Sequence, residues 1–463
     1  MLKSADASGR SLGTKLILIC LLVLVMAVPI IFIYGISFDR SSRAADVTGD
    51  VSQRYGGRQY IAGPVLIAPY YRLGREGKVT ETGEYAISPE EGSIDFRYIT
   101  TEIKKRSLFR VPVYQADGEM TARFAAIDRD KYTDRTIEWD KARLIIGLSD
   151  GRGLTEDIAL RLPSGEMRNF EPDSYRRSSG IDRPYEMSDA ILQYEGWGQS
   201  ADLTFFSVPA ADILQTGSAF TVTSSINIRG ARELGALPFA KSTRMSMTSD
   251  WASPGFKGGF APEQQNITDT GFTASWFVSY LARGVPGESP VHQMDLFDVG
   301  DKAVTVQFVS ELNPYQTVNR ALKYSILFIG LVFITFFLFE VLVGRSIHSA
   351  QYILVGLAQG VFYLLLLAFS EYIGFTPAFG IAALATVVLT AAYAGAVFGG
   401  WTYVIRAGIV FGIIYGLLFV LMRLQDFALL IGALTSFTAI ALIMYVTGGI
   451  NWYGGRERDN AKP

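Results

Sequence analysis

The chain has 463 residues, 49% of them hydrophobic, and a formal net charge of −2. Its basic residues are scattered rather than gathered into one stripe, so charge offers no footing for nucleic acid and no nucleic-acid partner is expected. With 2 histidines and 1 cysteine, a zinc site of several imidazoles and an internal disulfide framework are both excluded.

The first element is an apolar stretch over 16–36, close to the ~20 residues a helix needs to cross a bilayer core. It contains the lone Cys20. Lys3, Arg10 and Lys15 precede it against Asp6 alone, and such a basic flank is retained on the cytoplasmic side. The rival reading is a signal peptide cleaved near Ser42-Arg43-Ala44. The run, however, exceeds the ~7–15 residues of a signal core, and a membrane helix tolerates Pro29 when its freed carbonyl finds another partner. An uncleaved anchor is expected, with 1–15 as a cytoplasmic tail and 16–36 as the first transmembrane helix.

Residues 37–321 read as an exported, β-rich domain. Val304, Val306 and Phe308 fall on one face of a strand with Thr305 and Gln307 on the other, and Met245 and Met247 alternate with Arg244, Ser246 and Thr248. Residues 222–228 predict a further strand. Ser149-Asp150-Gly151, Ala116-Asp117-Gly118 and Pro286-Gly287 punctuate these runs as turns. No long amphipathic helix is expected between Asp39 and Arg320. The pattern predicts an antiparallel sandwich, and the length leaves room for two sheet modules with a boundary near 175–190, at Arg176-Arg177-Ser178-Ser179-Gly180 and Arg183-Pro184.

Five apolar stretches then follow in succession, at 322–343, 352–369, 378–398, 407–422 and 427–447. The loops holding Arg345, His348 and Arg406, and the tail 448–463 with Arg456, Arg458 and Lys462, suit the cytoplasm; the turn with Glu371 and Pro377 suits the outside. Arg423 beside Asp426 is a mild exception in a tight outer turn. The fold class is therefore a membrane α-helical bundle of six transmembrane helices, one N-terminal and five C-terminal. It carries a large inserted, sandwich-like, extracytoplasmic β-rich domain and has both termini inside.

The search for chemistry is mostly negative. His292 and His348 belong to no His-Glu-x-x-His pattern, and Ser-x-x-Lys and Walker-type patterns are absent. Asp128 and Asp130 around Arg129 could serve acid/base work or a divalent cation, but solvated loop charge is the plainer reading. Gly56-Gly57 and Gly258-Gly259 lack the strand-to-helix context of a nucleotide loop and read as tight turns. Asn266-Ile267-Thr268 is a glycosylation sequon by pattern, relevant only in a eukaryotic secretory setting. No catalytic, metal or cofactor residues are assigned, and neither a cofactor nor an enzymatic activity is expected.

The membrane block says more. Gly356-x-x-x-Gly360 and Gly408-x-x-x-Gly412-x-x-x-Gly416 place small residues four apart, which predicts helix-packing faces, with a homo-oligomer contact as the alternative. Glu340, Glu371, Gln359 and Arg406 are polar groups in or at the edges of apolar runs, and such groups are functional candidates because burying them is costly. The plain reading pairs Glu340 with Arg345 near the inner surface and turns Glu371 to water. A carrier would show paired broken helices or an inverted repeat, and neither is visible here.

Residues 319–327 (Asn-Arg-Ala-Leu-Lys-Tyr-Ser-Ile-Leu), continuing to Phe336-Phe337-Leu338-Phe339-Glu340, closely resemble the corresponding stretch of the CreD family of bacterial inner membrane proteins. So do 351–357, 362–371 and Gly374-Phe375-Thr376, and, in the exported part, 63–69 (Gly-Pro-Val-Leu-Ile-Ala-Pro), Met247-Thr248-Ser249-Asp250-Trp251 and Gly271-Phe272-Thr273-Ala274-x-Trp276. Between about Gly74 and Ser225 few words match beyond Gly151-Arg152-Gly153, so no site carried by that region is transferred. The resemblance implies a role in cell-envelope integrity, colicin tolerance and the envelope stress linked to β-lactams, through an exported domain that binds envelope components or other membrane proteins. The family has no defined catalytic residues, so none are carried over. The alternative functions are a carrier or lipid-handling protein using Glu340 and Glu371, and an exported hydrolase, which would need a carboxylate pair or nucleophile in a cleft.

Overall fold

The computed structural model describes residues 12–75, 77–106, 109–173, 203–215, 217–291, 302–308, 314–423 and 428–448. The expected module boundary near 175–190, most of the N-terminal tail, His292, Asp426 and the C-terminal tail lie outside the described residues. The chain divides into two compact units, Met1–Ala45 with Leu312–Pro463, and Asp46–Glu311.

The helical unit opens with α1 (Leu12–Val25) and α2 (Ala27–Arg54). They part at Met26 because Pro29 lacks an N–H and its ring crowds the carbonyl four residues back, at Val25. α2 does not stop where the apolar run ends at Ile36. Residues 37–54 contain no proline to break the backbone ladder, so helix continues through a polar sequence that hydropathy alone reads as loop. After the inserted unit come α3 (Pro314–Lys323), begun by a proline at its first helical position, then α4 (Ser325–Val343), α5 (Ser349–Ile373), α6 (Phe375–Phe398), α7 (Trp401–Arg423) and α8 (Ala428–Thr447). Among the described residues, five helices are long and apolar enough to cross a membrane, one near the N-terminus and α4 to α7. α8 is helical over the last predicted run.

The ends of these helices are sharply specified. His348 caps α5 in a capping box with Gln351, while Gly344 and Gly399 end α4 and α6 in the left-handed conformation. Inside the bundle Phe336 stacks on Phe398 and Phe411, and Phe362 meets Phe379 and Tyr415 edge-on.

The second unit consists of two sheets. One is 10-stranded, with the path Pro254–Gly258, Val304–Phe308, Glu233–Leu237, Gln59–Leu73, Arg143–Leu148, Thr204–Pro209, Glu171–Pro172. Three short or branching strands join off that path. The other is 8-stranded, in the order Gln264–Thr268, Gly271–Val278, Ser242–Ser249, Glu91–Arg106, Phe109–Phe124, Phe220–Ala231, Ala159–Arg161, Met167–Asn169. Ile61, Val65 and Ile67 of the first sheet and Ile94, Phe96 and Met120 of the second belong to one contiguous apolar core, as in a sandwich. The pairing is mixed rather than purely antiparallel: Gln59–Leu73 runs parallel to Glu233–Leu237, and Glu91–Arg106 parallel to Ser242–Ser249.

The alternating runs lie as expected, with Met245, Met247, Val304, Val306 and Phe308 buried. Ala116-Asp117-Gly118, however, sits in mid-strand. Phe109–Phe124 is hydrogen-bonded on both sides, which outweighs local turn preference, and Gly118 leaves room for the Phe96 ring, 2.8 Å from where a Cβ would stand.

Candidate functional site

Glu340 stands one turn from the end of α4 and is 5% exposed. Its cationic partner is Lys15 of α1, not Arg345. The Oε1 atom also accepts the Ile347 N–H at 3.1 Å, and Oε2 accepts the Tyr352 hydroxyl at 2.9 Å. One buried carboxylate therefore gathers α1, the α4–α5 loop and α5. Arg345 misses Glu340 because it turns to the next helix end: its Nη1 donates to the Phe398 carbonyl at 2.9 Å, satisfying an orphan acceptor at the C-terminus of α6.

Glu371, near the end of α5, does not face water; its side chain is 7% exposed. Oε2 lies 3.5 Å from Arg40 Nη1 of α2, and Oε1 accepts the Tyr315 hydroxyl of α3 at 3.0 Å. The two carboxylates thus share one arrangement of a cation from the N-terminal helices plus a tyrosine hydroxyl. Lys15 and Arg40 are 25 positions apart (40 − 15), roughly 37 Å along helix, so the clusters occupy opposite ends of the helical unit. They do not converge on one cavity. A third link, Ser37 Oγ to Asn319 Oδ1 at 2.6 Å, lies beside the second cluster in the chain.

Arg406 is exposed and meets no hydrogen-bonding or ionic partner among the described residues. Gln359 is buried, accepting the Tyr415 hydroxyl at 2.5 Å while its Nε2 has no partner among the described residues. An apolar depression of about 640 Å³ between α6 and α7 is lined by residues such as Val387, Ala391, Gly395, Val404 and Gly408, and by none of the candidate carboxylates.

The glycine faces separate into two kinds. At Gly356 a Cβ would stand 2.6 Å from Met26 Sδ and 2.8 Å from Phe333 Cζ, so α5 does approach the α1–α2 junction and α4 closely there. At Gly360, Gly412 and Gly416 it would meet no described atom within 4 Å, and at Gly408 only Ala391 at 3.8 Å. Among the described residues, then, no close helix contact is seen along 408–412–416.

In the β-rich unit, Asp128 caps a single helical turn by accepting the Asp130 N–H at 3.1 Å, and Arg129 donates to the Leu214 carbonyl. No carboxylate pair is formed there. A buried carboxylate that the sequence did not single out is Glu233, 5% exposed. It accepts the Tyr60 hydroxyl at 2.8 Å and lies 3.6 Å from Arg58 Nε and 3.8 Å from Lys257 Nζ. Burial, then the charge of Glu233 and its hydrogen bond, push the Tyr60 phenol up, so it remains a donor. The Glu233 carbonyl accepts the hydroxyl of Tyr114 at 2.7 Å. Neither Lys15, Arg40 nor Glu233 carries a local motif; the usable signals were the placement of lone cations at the two ends of the first apolar run.

Over residues 11–453 the chain matches the family described as Inner membrane protein CreD. It is 28% identical over 440 residues to the inner membrane protein CreD of Escherichia coli (strain K12), covering 93% of this chain and 91% of that protein. With its apolar helices and inserted sheets, the chain belongs to the CreD family and is a multi-pass inner membrane protein.

Proposed function

We propose that the protein supports cell-envelope integrity and envelope stress tolerance without enzymatic chemistry, its β-rich unit lying outside the cytoplasm as the binding part and its helical unit serving as anchor. The observation that carries this reading is the family match over nearly the whole chain. The basic flank before α1 supports the orientation, with both termini inside. The intramembrane carboxylates support the anchor role, since each is already engaged by a cation and a tyrosine.

Two measurements test it. Ser11→Cys and Ser218→Cys, each in a Cys20→Ser background, are labelled with an impermeant maleimide in spheroplasts. Position 218 should react before permeabilisation and position 11 only after it; the reverse order refutes the orientation. Crosslinking the β-rich unit in intact cells should capture envelope material that a strain expressing only the helical unit does not.

A second reading, a carrier or lipid-handling protein, draws on the burial of Glu340 and Glu371. A Glu340→Gln protein that inserts normally yet fails to restore stress tolerance in a deletion strain would favour it.

A further inference from the structure

Two glycine pairs noted in the sequence flank cations that meet in the fold. Gly56 and Gly57 both adopt left-handed backbone and lead into Arg58; Lys257 leads into Gly258, also left-handed. Gly56 packs so closely on the Gly151-Arg152-Gly153 turn that a Cβ would lie 2.6 Å from Gly153 Cα. This fixes the backbone carrying Arg58. Arg58 and Lys257 approach Glu233 from two sides, at 3.6 and 3.8 Å, beyond the 2.7–3.2 Å of an ordinary hydrogen bond. Their side-chain N–H groups find no hydrogen-bond acceptor among the described residues, and their side chains are 45% and 56% exposed.

The third cation is Arg232. It is the corner where the chain leaves the strand Phe220–Ala231 of one sheet and enters Glu233–Leu237 of the other. With φ of 72° it is, among the described residues, the non-glycine residue held in the left-handed region. That conformation is strained for a side-chain-bearing residue. The corner is pinned on both sides: the Arg232 N–H reaches the Pro112 carbonyl at 3.4 Å, and its own carbonyl accepts the Phe308 N–H at 2.8 Å. Its guanidinium is half-buried and meets no carboxylate at ion-pair distance among the described residues. Burial, and then the neighbouring charge of Arg58, hold its pKa below the ordinary arginine value. Glycine would fit this corner without strain, so the arginine side chain is retained at a conformational cost. Arg58, Arg232 and Lys257 against Glu233 leave two positive charges (3 − 1) uncompensated by Glu233, with Arg58 close enough to both Glu233 and Arg232 to be felt by each.

We propose that Arg58, Arg232 and Lys257, organised by the buried Glu233 and Tyr60, form a binding site for a phosphate-bearing anion. Guanidinium groups suit tetrahedral oxyanions because they present several donors in a fixed fork, and Lys257 adds a compact charge. Glu233 holds the two exposed cations together against their mutual repulsion, and the Tyr60 hydroxyl donates to the Oε2 atom that faces Arg58. This rests on the reading of the β-rich unit as the binding part of the protein, and it names the chemistry of what is bound.

The test uses the full chain in neutral detergent. Thermal stability is titrated with inorganic phosphate in one arm. In the other, mixed micelles carry phosphatidylglycerol, against matched micelles carrying phosphatidylcholine. Stabilisation by phosphate assigns a free or solute-borne phosphate; stabilisation by phosphatidylglycerol alone assigns an anionic lipid headgroup. In either case Arg232→Gly should weaken the response about tenfold or more, the loss expected for a charge-assisted hydrogen bond. The same variant should unfold at an equal or higher temperature without ligand, because glycine relieves the strained corner. That separates lost binding from lost folding. Arg58→Gln should weaken binding in the same arm. No stabilisation in either arm, or an undiminished response in Arg232→Gly, overturns the proposal. Neither outcome bears on the orientation or the stress phenotype, which the labelling and the deletion strain read separately.

Discussion

Lys15 and Glu340, 325 positions apart in sequence, are ion-paired within the helical unit, and the carboxylate is 94% shielded from solvent with a tyrosine hydroxyl on its other oxygen. The first helix and the C-terminal block are translated at opposite ends of the chain. Their association therefore depends on contacts of this kind, with Arg40 and Glu371 forming the matching link at the far end. Lys15→Met should leave a buried charge unpaired and cost about 3–5 kcal/mol, whereas Glu340→Gln should cost less, because an amide still accepts from Tyr352 or Ile347. The double variant should be more stable than Lys15→Met alone. Thermal unfolding in detergent reads all three, and strictly additive losses would show that the two residues do not act as a pair.

In the β-rich unit, acid should be destabilising only at low pH. The hydrogen bonds from Arg168 hold the Asp212 carboxyl below its usual value, and those from Arg135 and Arg72 hold Asp134 well below it. A carboxylate whose folded pKa is depressed contributes stability that is complete above its unfolded pKa, about 4, and is lost as pH falls through the folded value. Both groups are largely exposed, so each contributes only about 0–1 kcal/mol. The melting temperature should be flat from pH 8 to 5 and decline below about 4. A decline already complete by pH 5 would assign the transition to other groups.

The membrane helices were legible because apolar length leaves few alternatives, and the strand at 242–249 because period-two alternation survives where one face is buried; 304–308 alternates in sequence as well, although Thr305 on its polar face is buried too. What escaped did so for identifiable reasons. The extension of α2 to Arg54 carries no apolar stripe to announce it. Glu340 was visible as a costly intramembrane group, but its partner was not: Arg345 is five positions away, yet it is drawn to the open carbonyl end of α6, and Lys15 is reachable only through the fold. Glu233 lies in a strand that reads as ordinary, and Arg232 discloses its strain only through its backbone angle. Sequence spacing fixes which residues share a face, not which helix end lies nearby.

The glycines of the membrane block make a paired test. Gly356→Leu would drive a side chain into Met26 and the fully buried Phe333 ring and should destabilise by about 1–3 kcal/mol, as overpacking does. Gly412→Leu meets no described atom within 4 Å and should leave the melting temperature of the purified monomer unchanged. Equal losses at both positions would mean that 408–412–416 packs against a neighbour in solution. Size-exclusion of the Gly412→Leu protein would then show a smaller particle.

Arg283 offers the last prediction, on an anomaly the sequence gives no hint of. It ends the short helical turn Tyr280–Arg283 and is 4% exposed. Its Nη2 donates to Ser88 Oγ at 2.9 Å, while Nε and Nη1 have no hydrogen-bond partner among the described residues. Burial lowers its pKa to about 10, and among the described residues no carboxylate opposes that shift. A buried cation without a counter-charge is costly, and two unsatisfied donors add to the cost. Arg283→Met keeps the apolar stem in the core and removes the charge. It should therefore be neutral or stabilising by about 1–3 kcal/mol, the range over which apolar replacements of buried charged groups often gain. Differential scanning calorimetry of the full chain decides the matter. A loss of more than about 1 kcal/mol would mean that the guanidinium has an anionic partner in the folded protein, since only a compensated charge is missed when it is removed.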